Sequence, residues 1–507
     1  MVQLAQSCSR RTAVGLARCS DADPRWFLTP PLPPAVAESD IIEMFRDILV
    51  VLPSSDQVHA CIKLLTATAL EQYLDYSYEQ TLDTDISSSF HRESHHLRSM
   101  PGPSISHETI VEHCLQALLS HSTLPEHCAV IVSSVALPLF AAVVASYPGS
   151  VRIKSLIGQI LANICQHPHL HRAVWAGGWV GRLASWRSAR QLEVSLPAEK
   201  ALANMDTELV AGRTFSPGIY LLGPRDRIVT HLNSRSNWGV DVVFVHGLWG
   251  GVFFTWRQKE QDGFDSGPGP MEDSFSYCWP RDWLVEDAEA SQHVRILGCD
   301  FDSYLSQWGQ NCPTQNFKRT LDERAEELLA GLVRAGVGGR PVILVGHSMG
   351  GLIIKKLLLL AQSSPDPAHA ALAENTKGVV FYSTPHEGSE IAKMNAVMKY
   401  IIFPSVEVQE LEMDHPALSA MNETFKQFVS RFRTRVISFG ETLPTRHLGM
   451  DLQFVPLSSS NPGVGEFHEV PYNHIDICKP ENVKSILYRK LYNLLWDCLD
   501  DASPYLQ

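Results

Sequence analysis

The run Pro341-Val342-Ile343-Leu344-Val345-Gly346-His347-Ser348-Met349-Gly350-Gly351 decides the fold. Its opening is an unbroken apolar stretch of strand length, the pattern of a strand covered on both faces in a parallel sheet. The residues that follow, from Leu352 to Gln362 (LIIKKLLLLAQ), read as a strongly apolar helix. Between them stands Gly346-x-Ser348-x-Gly350, so the serine occupies a strand–turn–helix corner. A serine there sits in a strained turn, and flanking glycines keep neighbouring backbone from colliding. The helix start aims backbone N–H groups and the positive end of its dipole at the same spot. Ser348 is the candidate nucleophile.

Outward from this corner, short apolar runs alternate with helical patterns: 240–247 (VDVVFVHG), 294–301, 376–384, 434–441 and 452–459 (LQFVPLSS). Thr320 and Glu323 are spaced as a capping box at the head of one such helix. Alternation of this kind predicts an α/β doubly wound sheet over 218–507. An alkoxide nucleophile needs a base and an oxyanion hole. In this class of sheet the loop after an earlier strand, His246-Gly247-Leu248, supplies one backbone donor and the residue after the serine supplies the other. Leu248 and Met349 are therefore the expected oxyanion donors. His246 is expected to pack or orient the loop.

The order along such a chain is serine, acid, histidine. His474, in Tyr472-Asn473-His474-Ile475-Asp476, follows the last expected strand and is the candidate base. His386, in Ser383-Thr384-Pro385-His386-Glu387-Gly388, is its rival but falls too early in the strand order; His447 and His468 have no comparable local signature. Glu441 ends the penultimate strand on the edge that carries Ser348, and is the candidate acid. Glu466, in a Gly-rich loop, is the next choice. Asp451 is expected to open the last strand, at the opposite edge, and Asp476 lies too close to His474 along the chain.

Upstream the texture differs. Residues 1–40 read as a proline-rich N-terminal segment, and Arg10, Arg11 and Arg18 precede the first acid, as they would in a mitochondrial transit peptide or in an ordinary start. Residues 41–210 show apolar positions at three- and four-residue spacing, the pattern of an all-α domain. Leu161-Ala162-Asn163 and Leu202-Ala203-Asn204 repeat at a period near 41, in the range of armadillo-type repeats. The stretch 78–107 is polar and reads as a loop; its His91, His95 and His96, like His167, His169 and His171, read as solvated histidines rather than metal ligands. Cys128 to Tyr147 is apolar and long enough to span a bilayer, but Pro138 splits it, so a buried pair of helices is expected.

Composition narrows the function. Of 507 residues, 45% are hydrophobic and 19% charged, which fits a chain with a sizeable core and excludes a mainly disordered one. A formal charge of -13 argues against nucleic-acid binding. The 11 cysteines contain no C-x-x-C pair, which points to reduced thiols rather than a disulfide scaffold.

HGLWGG, WPRDWL (Trp279 to Leu284), CDFDS (Cys299 to Ser303), GHSMGG, STPHEGS and NHIDICKP together resemble the serine-active-site-containing protein family. That family is a lipase-like branch of the α/β hydrolases, related to glycosylphosphatidylinositol deacylases, and the likeness covers roughly 218–495. The resemblance implies an α/β-hydrolase domain after an armadillo-like helical one. It also implies a phosphatidylglycerol-like phospholipid substrate, a membrane surface as partner, and phosphatidylglycerol remodelling with effects on cholesterol distribution at contacts between mitochondria and endoplasmic reticulum. The family's N-terminal membrane anchor is not found in this chain. The expected chemistry is a serine hydrolase or transacylase using Ser348, His474 and Glu441, with no cofactor and no metal. A catalytically silent scaffold whose helical domain binds a protein partner is the alternative, and peptidase or thioesterase chemistry stays open.

Overall fold

A computed structural model describes residues 9–19, 23, 36–53, 62–63, 66–71, 106–207, 213–226, 239–248, 250–259, 275–284, 293–301, 320–388, 416–447 and 450–502. The chain divides into two units, Met1–Asp206 and Thr207–Gln507. His91, His95 and His96 lie outside the described residues.

The first unit is helical: α1 Arg10–Ala17, α2 Glu38–Val51, α3 His107–His121, α4 Pro125–Ser133, α5 Ala136–Ser146, α6 Val151–Ile164, α7 His171–Ala176, α8 Trp179–Arg187 and α9 Leu192–Met205. Ser106 and Ser150 cap α3 and α6, each accepting the N–H three residues on. The apolar stretch 128–147 is the α4–α5 pair, bent by 72° at its break, with Pro138 in the first turn of α5. Among the described residues no single helix is long and apolar enough to cross a membrane. Helices α3, α6 and α9 stack, and their repeat has a physical form. Asn163 donates to Ser122 Oγ at 2.9 Å, 41 residues earlier, and Asn204 donates to the Ala162 carbonyl at 3.1 Å.

Within the N-terminal segment 1–40, residues Arg10–Ala17 form helix α1. Arg18, just past its end, is 1% exposed and reaches Glu199 at 3.2 Å and Asp206 at 3.0 Å. Arg187 takes the other oxygen of Glu199 at 2.5 Å. A buried arginine paired in this way is part of a core, so α1 belongs to the helical unit.

The second unit is built on the sheet order β1-β5-β2-β6-β7-β8-β11. Its strands are β1 Ile219–Gly223, β2 Val240–Val245, β5 Val294–Cys299, β6 Val342–His347, β7 Thr376–Tyr382, β8 Arg435–Glu441 and β11 Glu466–Val470. Two small hairpins stand outside it, β3 Arg257–Lys259 with β4 Phe275–Cys278, and β9 Thr445–His447 with β10 Met450–Leu452. All neighbouring strands of the main sheet run parallel except the edge strand β1, which is antiparallel to β5. Helices α10 Leu321–Arg334, α11 Met349–Ser363, α12 Pro367–Asn375, α13 Pro416–Phe432 and α14 Ile486–Ala502 connect or follow the strands. The capping box of Thr320 and Glu323 is present at α10. In the central strands every residue of β2 and β6 is buried, as a sheet covered on both faces requires.

The last strand is not where the apolar run 452–459 pointed. That run ends the β9–β10 hairpin and continues into a helical turn, Leu457–Ser460. Its Phe454 and Val455 are buried, and their backbone N–H groups donate to Glu441 at the end of β8. The true last strand, Glu466-Phe467-His468-Glu469-Val470, pairs with β8 at the sheet edge, where three of its five residues are polar and only Val470 is buried.

Candidate active site

Strand register brings the site together. Gly346 of β6 pairs with Val245 of β2 and with Phe381 of β7, while Tyr382 pairs with Phe439 of β8. The residues just past these positions, at the C-terminal ends of the strands, therefore share one edge.

Ser348 has φ 54° and ψ -128°, a left-handed-side backbone that a serine adopts only when its surroundings hold it there. Its N–H donates to the Tyr382 carbonyl at 2.9 Å and its carbonyl accepts from Gly351 at 3.0 Å. The corner needs glycine at two close approaches. A Cβ on Gly350 would lie 2.4 Å from the carbonyl oxygens of Val245 and His246, and one on Gly247 would lie 2.7 Å from Ser348 Cβ. The second approach sets the 246–248 loop against the nucleophile, with Leu248 next along the chain. Met349 opens α11 directly after the serine.

His474 Nε2 is 3.0 Å from Ser348 Oγ, and His474 Nδ1 is 2.6 Å from Glu441 Oε2. The carboxylate can only accept, so Nδ1 carries a proton and Nε2 is left to take one from the serine. Glu441 is fully buried. Its Oε1 accepts the N–H groups of Phe454 at 3.0 Å and Val455 at 3.1 Å, and its Oε2 also accepts the Ser383 hydroxyl. Burial alone would raise this carboxyl; the adjacent His474 and the donated hydrogen bonds outweigh it and hold the group below the usual carboxylate range.

His474 sits in a loop, yet its backbone is fixed at both sides. Its N–H donates to Thr445 Oγ1 at 3.0 Å and its carbonyl accepts from His347 Nε2 at 2.9 Å. His347 is buried, and burial followed by the neighbouring His474 holds it well below the usual histidine range, so it stays neutral and donates from Nε2. The Phe454 ring stacks on the His474 imidazole at 5.0 Å. Trp279 Nε1 donates to the Cys478 carbonyl at 3.0 Å, which anchors the far side of the same loop.

The rival histidines have other work. His246 bonds Asp300 at 3.0 Å and the Gly247 carbonyl at 2.8 Å, and stacks on Phe301 at 4.1 Å, so it orients the 246–248 loop. His386 is fully buried against Phe381 at 4.8 Å; burial, then Lys355, keep it neutral. Of the other acids, Glu466 opens β11 rather than lying in a loop that reaches the site, and pairs with Lys490 at 2.6 Å and His468 at 3.2 Å. Asp451 lies in the β9–β10 hairpin after β8, not at the opposite sheet edge. Asp476 accepts from Asn473 at 2.7 Å. Four residues escaped sequence reasoning: Ser383, Thr445, His347 and Phe454. Of these only Ser383 and His347 stood inside a motif. No group among the described residues could hold a metal ion; His171 donates its ring N–H to the Cys165 carbonyl at 2.7 Å.

The alpha/beta hydrolase family matches residues 242–453, and the SERAC1 N-terminal domain matches residues 1–30. Protein SERAC1 of Danio rerio is 37% identical over 98% of this chain and 73% of its own length. Protein SERAC1 of Homo sapiens is 33% identical over the same shares. The chain belongs to the SERAC1 family. Among solved structures it is similar to the Bacillus licheniformis lipase BlEst2, with TM-score 0.32, 16% identity, and coverage of 51% of this chain and 91% of that one. In this SERAC1-family chain the hydrolase match contains Ser348 and Glu441, and His474 falls 21 residues after it.

Proposed function

We propose that this chain is a serine ester hydrolase or acyltransferase that acts on the acyl ester of a phospholipid. The carrying observation is the unbroken line from Ser348 Oγ through His474 to Glu441, at 3.0 and 2.6 Å. Ser348 attacks the ester carbonyl while His474 Nε2 takes its proton. The backbone N–H groups of Leu248 and Met349 receive the developing oxyanion, helped by the positive end of α11. His474 then protonates the departing alkoxide, and Glu441 stabilises the imidazolium in between. Water or a lysolipid hydroxyl, deprotonated by the same nitrogen, resolves the acyl-enzyme. Neither acceptor requires a cofactor.

The lipid-like substrate is supported by membership of a lipase-like family. Phosphatidylglycerol as that lipid, remodelling with effects on cholesterol distribution, and a place at mitochondrial contacts with endoplasmic reticulum are the finer parts of the proposal. The test is labelling by a fluorophosphonate probe, followed by turnover on lipid, thioester and peptide substrates. Ser348→Ala should abolish labelling and lower turnover by several orders of magnitude. Undiminished labelling in that variant refutes the nucleophile. Labelling with turnover only of peptides or thioesters refutes the phospholipid.

A further inference from the structure

The stretch Ser383–Gly388 contributes its serine, not its histidine, to the line of groups behind Ser348. Ser383 follows the end of β7 and is fully buried. Its φ is 46°, a left-handed backbone that a serine rarely adopts. Its N–H donates to the Phe439 carbonyl at 2.8 Å, which ties it to β8 two residues before Glu441. Its hydroxyl lies within hydrogen-bond reach of Glu441 Oε2. An ionised carboxylate has no proton to give, so Ser383 is the donor. That same oxygen accepts Nδ1–H of His474, while the other is taken by two backbone N–H groups.

We propose that Ser383 is a positioning residue for the reaction, holding Glu441 in the rotamer that faces His474 and sharing the charge of the oxygen that contacts the imidazole. The proposal rests on the hydrolase reading above. A hydroxyl needed only to fill a buried space would not require its backbone to be strained toward one oxygen. Two consequences are specific. Without the hydroxyl, Oε2 carries more of the negative charge, so the imidazole gains a proton more readily and the acid limb of the rate profile moves to higher pH. In addition, a residue acting solely through Glu441 loses its influence once that carboxylate is gone. Among the described residues, titratable groups near the pair include His347, 5.0 Å from His474 between ring centres, with Lys479 and His246 acting on His347. None is altered by the substitution, so all are common to parent and variant.

The experiment compares the full chain with Ser383→Ala, Ser383→Gly, Glu441→Gln and the double variant Ser383→Ala/Glu441→Gln, by rate of probe labelling across pH with thermal melting as a control. Ser383→Ala is expected to slow the reaction about 3- to 10-fold and move the acid limb up by about half a pH unit. Ser383→Gly relieves the backbone and also lacks the hydroxyl, so it should be as slow as the alanine variant; recovery in glycine would assign the loss to strain and overturn the proposal. So would an equal loss at every pH with the limb unmoved, or a full further loss when Ser383→Ala is added to Glu441→Gln. Ser348→Ala separates the two levels: labelling that survives in it refutes the hydrolase reading, whereas labelling lost there with an unmoved limb in Ser383→Ala refutes only the role of Ser383.

Discussion

Each end of the parallel sheet buries a carboxylate, and the two are held in opposite ways. At the N-terminal end, Asp241 in β2 is fully buried between two guanidinium groups: Arg295 at 2.7 Å and Arg340 at 2.7 Å. Burial would raise its pKa, but the arginines bring it below the usual range. At the C-terminal end, Glu441 is just as buried and has no arginine among the partners described above. Its donors are amides, a hydroxyl and a histidine. Arginine is always charged, so Asp241 is matched permanently and its charge has no further use. Amide and hydroxyl dipoles satisfy Glu441 without cancelling its charge, which in the proposed reaction stays available to an imidazolium at His474. One end of the sheet is a clamp and the other is a tool.

The largest effect that would break this contrast is on turnover. Glu441→Gln removes the charge and keeps the shape, and should lower turnover per folded molecule by about 100- to 10,000-fold, beyond the stability lost with the lowered carboxyl. A loss below 10-fold would make Glu441 another structural carboxylate. Asp241→Asn should do the reverse, destabilising the fold by about 3–5 kcal/mol, because two guanidiniums stay nearly buried without their counter-charge. Activity per folded molecule should be unchanged, as checked by denaturant melts beside active-site titration. Reduced activity in the folded fraction would mean that the clamp reaches the tool.

Acid sharpens the comparison further. Both carboxyls are held lower when folded than when unfolded, so each contributes stability above its unfolded value and loses it as pH falls through its folded value. Melts taken from about pH 5 downward should therefore show shallower acid destabilisation in Asp241→Asn than in the parent. The smallest expected effect is coupling. The two groups lie at opposite ends of strands, on the order of 15–20 Å apart at ~3.3 Å per residue. The double variant's stability loss should therefore equal the sum of the single losses within about 0.5 kcal/mol.

The meeting of Ser348, His474 and Glu441 at one sheet edge was legible in the sequence to the extent that topology dictates it. Ser348 is marked by the apolar strand and helix on either side of a glycine corner, and Glu441 by ending a strand at the edge that carries Ser348. His474 follows from chain order alone. The last strand was not legible, because Glu466, His468 and Glu469 at the sheet edge leave no apolar run. Phe454 and Val455 formed such a run for a different reason: both are buried, with the Phe454 ring on His474, while their amides hold Glu441. Ser383 was hidden because its contribution depends on a backbone angle that, unlike that of Ser348 in its glycine corner, no motif around it announces. The clamp was hidden too, since Asp241, Arg295 and Arg340 are far apart in sequence and meet only through strand register.

The side-chain links of the helical unit are arranged in series, and that has a mechanical consequence. Asn163 hands its amide back to Ser122, while the carbonyl of Ala162, its immediate neighbour, receives Asn204. A single helical turn thus terminates the link on each side. In a quasi-one-dimensional array, stability is the sum of units and of the junctions between them. A fault at Ser122 or Asn204 opens one junction and stays at that end. A fault in the turn of Ala162 and Asn163 removes both hydrogen bonds together, so the middle helix couples its two neighbours.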